Sequence, residues 1–240
     1  MRKRFFQLFI AFVCAGNISA QITANTPGDI GVNENPGNHA FVEDGFGKPV
    51  KKSYAEQSHT PYFNEEYKFA NIKLARGRAF VNVKTRIDLL TQETSFISSN
   101  GIEIKIDPGL VKEITYADTT KEGIIFYKFQ TGFPTIDRQN GNNFYLVLAE
   151  GRCSFIKSIY KKIKEKVVVV FSEAPNDFET YENYYLFVKG EIKKLKKDKG
   201  FFLAELSDKQ AEVNQFIESN KTNFKNNEHL IKLLNYYNSL

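Results

Sequence analysis

The sequence predicts an α+β fold: a mainly antiparallel β meander, of a form open to either a sandwich- or a barrel-like arrangement, with two to three C-terminal α-helices packed on it. Three observations predict it. Short apolar runs through the middle of the chain alternate with polar residues and are separated by X-Gly pairs. Phe and Tyr are abundant, at 22 and 12, and Trp is absent; aromatic and β-branched side chains favour strands. The last forty residues then change from a strand period to a helical one.

Arg76-Gly77 separates a run over 67–75 from one over 79–90. In the second, Val81, Val83, Ile87 and Leu89 fall on one face, with Asn82, Lys84, Arg86 and Asp88 on the other. Asn100-Gly101 precedes Ile102, Ile104 and Ile106, which alternate with Glu103, Lys105 and Asp107. Asn-Gly is a strong hairpin signal because both turn residues must reach positive φ. Asn140-Gly141, Glu150-Gly151 and Lys189-Gly190 repeat the pattern before apolar runs at 144–149, 152–156 and 191–195. Tight turns imply antiparallel neighbours, since parallel strands need a long crossover, and the spacing predicts roughly eight to ten strands. The stretch 156–163 fits either element, because Ile156, Ile159, Tyr160 and Ile163 also share a helix face.

A short helix is expected within 197–206. Ser207 with Gln210 then has the spacing of a capping box, followed by the stripe Val213, Phe216 and Ile217 up to Asn220. Leu230, Leu233, Leu234 and Tyr237 make a further amphipathic helix at i, i+3, i+4 and i+7.

The N-terminus has a different character. Arg2, Lys3 and Arg4 precede an apolar run over 5–16, and Ile18-Ser19-Ala20 ends it with small residues. Basic, apolar and small, in that order, is the pattern of a cleavable secretory signal peptide, here covering 1–20. The run is shorter than the roughly 20 residues that cross a bilayer, and no later segment comes close to that length: Val167–Phe171 is five residues. Cys14 follows Val13, where a lipoprotein site needs a small residue, so it belongs to the removed peptide. Residues 21–60, with Pro27-Gly28-Asp29 and Asn35-Pro36-Gly37-Asn38, read as a Gly/Pro/Asn-rich arm too polar to offset its own ordering entropy. A single β-rich domain over 61–240 is expected to follow.

The exported chain is then nearly neutral. Residues 21–150 carry 14 basic and 16 acidic side chains, and residues 151–240 carry 16 and 12. That is far from the dense positive charge of a nucleic-acid binder. Cys153 remains the sole cysteine after processing, so no intramolecular disulfide is expected; a chain of this size can rely on its core.

No catalytic, cofactor-binding or metal-ligating set emerges. The three histidines are scattered: His39 and His59 lie in the arm and His229 opens the last helix. Cys153, beside Arg152 and with His229 as a conceivable base, is the sharpest candidate nucleophile, but it reads first as a small hydrophobe starting a strand. Glu65-Glu66, Asp107, Asp118, Glu122 and Asp137 offer carboxylates without singling out a facing pair. Lys157, Lys161, Lys162, Lys164 and Lys166 form one basic stretch, and Lys193, Lys194, Lys196, Lys197 and Lys199 a second. Side by side they would grip an anionic lipid or glycan; as a solvated strand edge they would simply block sheet-to-sheet pairing.

Several strings lie in an ordered series: Pro61-Tyr62-Phe63-Asn64, Glu150-Gly151-Arg152-Cys153-Ser154, Tyr184-Tyr185-Leu186, Phe216-Ile217-Glu218-Ser219-Asn220-Lys221 and Tyr236-Tyr237-Asn238-Ser239-Leu240. Through them residues 61–240 resemble a group of secreted proteins of Bacteroidetes-type bacteria with no assigned function. The resemblance implies export into or beyond a Gram-negative envelope and supplies no catalytic residues. The sequence therefore points to an exported, non-enzymatic binding or structural module whose partner is a protein or an envelope component. An extracytoplasmic hydrolase and a binder of anionic surfaces are the alternatives.

Overall fold

The structure, a computed structural model, describes residues 60–121, 123–164 and 177–240. The signal peptide, the arm up to His59, Glu122, Lys166 and the Val167–Phe171 run lie outside the described residues.

Among the described residues one ten-stranded antiparallel sheet carries the fold. Its strands are β1 (Lys68–Leu74), β2 (Ala79–Asp88), β3 (Glu93–Ile97), β4 (Glu103–Ile106), β5 (Val111–Thr120), β6 (Gly123–Gln130), β7 (Tyr145–Ala149), β8 (Cys153–Ile163), β9 (Phe178–Val188) and β10 (Glu191–Lys194). The spatial order is β10-β9-β8-β7-β6-β5-β1-β2-β3-β4, so the meander is broken once, where the chain leaves β4 and returns to pair β5 with β1. That connection holds only 107–110, including a 3₁₀ turn at Pro108–Leu110. Five residue steps reach at most about 18 Å. Four strand spacings in a flat sheet take about 19 Å. The β1–β4 half must therefore curl over towards β5, although among the described residues β4 and β10 are not joined to each other and no barrel closes.

The curl encloses the first core, in which Ile72, Leu74, Ile87, Phe96, Ile106, Val111, Ile114 and Phe129 meet. The turn between β2 and β3 plugs the far side. Gln92 donates from Nε2 to the carbonyls of Leu89 and Ile159 and accepts at Oε1 from the Phe144 amide. The Lys161 amide also donates to the Leu89 carbonyl at 2.9 Å.

Three helices cover one face of β7–β9: α1 (Lys199–Glu205), α2 (Gln210–Ser219) and α3 (Asn227–Ser239). Leu230, Leu233, Leu234 and Tyr237, the expected stripe of α3, are all buried there with Phe155, Leu186, Phe202 and Val213. The opposite face of β7–β9 is covered by the 131–144 connection, where Phe133 packs edge-on against Tyr145 and Phe187.

Most elements follow the sequence pattern, with specific departures. The ambiguous 156–163 stretch is strand, paired residue for residue with β9 from Cys153↔Val188 to Ile163↔Phe178. Tertiary pairing on its β9 edge overrides the helical spacing. Ser207 begins a 3₁₀ turn, and α2 starts after Lys209 with no side-chain cap, so the Ser207–Gln210 box is not formed. Asp198 and Asn226 cap α1 and α3 instead. Asn140-Gly141 sits inside the 131–144 connection rather than at a hairpin. In β2 the single apolar face breaks at Asn82, whose φ of 57° interrupts the register, so Val81 is exposed while Ile87 and Leu89 are buried.

Candidate functional site

Among the described residues, those that carry chemistry in the sequence are not brought together. Cys153 is fully buried in the core under the helices, and burial, assisted by the negative charges of Glu205 and Asp208, pushes its thiol up to about 12. It is thus held protonated, the wrong state for a nucleophile. Its neighbour Arg152 is used elsewhere: Nη2 donates to the Tyr237 carbonyl at 3.0 Å, Nη1 faces Asp208 at 3.6 Å, and the guanidinium lies 4.7 Å from the Tyr237 ring centre. His229 opens α3, where Nδ1 accepts from the Asn223 amide at 3.1 Å. Asn238, the α3 residue that bonds Cys153, lies nine positions further on, about 13 Å along the helix.

What surrounds Cys153 is a clamp. Asn238 accepts from the Cys153 amide at 2.9 Å, and its Nδ2 donates to the Cys153 carbonyl at 2.9 Å and the Glu150 carbonyl at 3.3 Å. The carboxamide fits because Gly151 has no side chain; a Cβ there would collide with it. The strings Glu150–Ser154 and Tyr236–Leu240, far apart in the chain, are therefore two halves of one joint that locks α3 to the β7–β8 hairpin.

The candidate carboxylates are equally dispersed. Glu65 and Glu66 are exposed. Asp107 caps the 3₁₀ turn by accepting from the Gly109 amide, Asp118 pairs with Lys68 at 3.1 Å, and Asp137 accepts from Tyr185 Oη and Lys194. Among the described residues no three His, Cys, Asp or Glu side chains converge on a metal-sized site.

The lysine stretches do not merge into one patch, because β9 lies between β8 and β10. Lys157 pairs with Glu182, Lys164 with Asp177, Lys193 with Glu205, Lys194 with Asp137 and Lys199 with Glu218. Lys161 donates to the carbonyls of Thr60 and Tyr62, and Lys162 and Lys197 sit over tyrosine rings. Lys193 and Lys194 lie on edge strand β10, where lysines discourage further pairing.

The feature that stands out is the β5–β6 hairpin. Its strands pair along their whole length, from Glu113↔Gln130 to Thr120↔Gly123, but β6 joins β7 only at Phe129↔Leu146 and Gln130↔Tyr145. The distal half of the hairpin therefore leaves the sheet as an arm. Its base is firmly tied. Glu113 is held between Lys73 at 2.7 Å and Lys128 at 3.1 Å, and Lys128 also reaches Glu150 at 2.7 Å. Burial would raise the Glu113 pKa, but hydrogen bonds from Lys73, Gln130 and Lys128 outweigh it and bring the carboxyl down to about 2. On the inner face Tyr116 stacks on Tyr127 at 5.2 Å, and Phe63 meets Phe129 edge-on at 4.9 Å.

Beyond that base the arm is apolar and bare. Phe126 is 79 % exposed, Ile124 63 % and Ile125 42 %. Ile124 and Phe126 occupy one face and Ile125 the other, since strand side chains alternate. Phe69 on β1, also exposed, lies on the same outward face as Phe126, with Lys84 Nζ 5.5 Å from its ring centre. The sequence holds a signal for the arm: Gly123-Ile124-Ile125-Phe126-Tyr127 is five residues without a charge. Its meaning depends on where β7 stops following β6, which composition does not reveal.

No protein-family model, curated protein or solved structure matches this chain. Among the described residues no helix is long and apolar enough to cross a membrane.

Proposed function

We propose that this chain is an exported, non-enzymatic binding module of a Gram-negative envelope or its exterior, and that it engages its partner through the β5–β6 arm. The observation that carries the reading is the arm itself: three consecutive large apolar side chains are exposed on one strand, whereas the other exposed large apolar residues among the described ones, Phe69, Val81, Ile102, Ile163 and Leu240, are each isolated in the sequence. Contiguous exposed apolar surface of this kind marks interaction sites. The basic–apolar–small N-terminus supports export, and the resemblance of residues 61–240 to secreted Bacteroidetes-type proteins agrees with it.

Two measurements test the reading. N-terminal sequencing of the product released from a Gram-negative host is expected to begin at Gln21; a product beginning at Met1 contradicts export. Wild-type protein immobilised as bait is expected to retain envelope species that the Phe126→Lys bait does not. Equal retention by both baits removes the arm from the binding role.

A further inference from the structure

We infer that the occupant of the β5–β6 arm is a second copy of this chain, joined to the first by antiparallel pairing of the two β6 edges about a two-fold axis. This rests on the arm being the contact surface, and adds its partner. Three features of β6 select that occupant.

First, the apolar residues stand on both faces of the strand, Ile124 and Phe126 on one and Ile125 on the other. A flat docking surface covers one face only. A strand added at the edge extends both faces at once and satisfies the alternate backbone groups that point away from β5.

Second, the edge has none of the guards that keep sheets apart. Between Gly123 and Tyr127 there is no Lys, no Pro and no inward charge, and the pairing with β5 runs without a bulge. The end strand β10, by contrast, does carry Lys193 and Lys194.

Third, the charges suit a like partner. The one charged residue of β6, Lys128, is already held by Glu113 and Glu150 within its own protomer, so two such edges approach without like-charge repulsion. The same neutralisation leaves little for an anionic surface to hold.

A two-fold centred on Ile125 sets Ile124 against Phe126 of the other copy, twice, on the outward face. It sets the two Ile125 side chains together on the inner face and places Tyr127 opposite Gly123, which has no side chain. Such isologous pairing closes on itself and yields a dimer with a continuous sheet, not a filament.

Sedimentation of the full chain, in a Cys14→Ser background, tests the inference. The wild-type arm is expected to shift from monomer to dimer as concentration rises. Phe126→Lys, whose side chain is already exposed and so leaves the fold intact by circular dichroism, is expected to remain monomeric throughout. Opposed residues of an antiparallel pair have Cα atoms about 4.5–5.5 Å apart, within disulfide reach. Ile125→Cys is therefore expected to cross-link with its twin under mild oxidation. Thr119→Cys, one strand further in on β5, is expected not to. A wild-type chain that is monomeric up to millimolar concentration, or Ile125→Cys that stays uncross-linked, overturns the inference. So does a monomer that floats with neutral phosphatidylcholine vesicles through Phe126. If the chain is monomeric while envelope capture still depends on Phe126, the second copy is excluded but the arm's binding role survives; if neither depends on Phe126, both readings fall.

Discussion

Asn238 illustrates how much one side chain carries. Its carboxamide satisfies both backbone groups of Cys153 and one of Glu150, and leaving buried polar groups unpaired costs about 1–3 kcal/mol. Asn238→Ala is expected to lower the urea unfolding free energy by about that amount. Gly151→Ala should be destabilising in the wild type and less so in the Asn238→Ala background, where the clash with that carboxamide is relieved while the strain of a φ of 157° at an alanine remains. Additive effects of the two substitutions would refute the clamp. At Cys153 the thiol is buried and its pKa is raised to about 12, so in the Cys14→Ser chain it is expected to resist Ellman's reagent at pH 8 until the protein is unfolded. Rapid labelling of the native chain would revive the nucleophile reading.

Among the elements, the β5–β6 hairpin contrasts a firmly anchored base with a bare tip. Glu113 has a folded-state pKa of about 2, below its usual 4.5. The stabilisation it provides is therefore complete above about pH 4.5 and is lost as the pH falls towards 2. The urea midpoint of the wild type should drop across that window, and that of Glu113→Gln should drop less. Helix α3 works through burial: Leu233→Ala empties a fully buried site and is expected to cost about 2–5 kcal/mol in the same assay. These elements were unequally legible in the sequence. The α3 stripe was clear because a helix reports its buried face locally through period 3.6. Strand β8 was ambiguous because it is buried on both faces in its first half, which erases alternation. Strand β2 misled at Val81 because a positive φ at Asn82 shifts the side chains that follow. The capping box at Ser207 failed because α1 ends at Glu205 and a 3₁₀ turn fills the gap before α2.

At the scale of the molecule, the order of elements was legible and their spatial arrangement was not. β strands followed by helices, and antiparallel neighbours, follow from turn spacing; the return from β4 to β5 beside β1 depends on contacts far apart in the chain. The arm was unreadable for the same reason, since its exposure arises where β6 parts from β7. Leu148 packs against both the curled-sheet core and the helix-covered core, so the two share strands and are expected to melt together. Far-UV and near-UV circular dichroism should then report one coincident thermal transition, and two separated transitions would show that the cores are independent. The pairing of two β5–β6 arms, one from each of two copies, is tested most directly by hydrogen exchange of the full chain across a concentration series. It predicts that protection rises with concentration in peptides covering 119–128 and nowhere in α1–α3. Exchange of 119–128 that stays fast and unchanged at every concentration, or protection that develops over the helices instead, would contradict it.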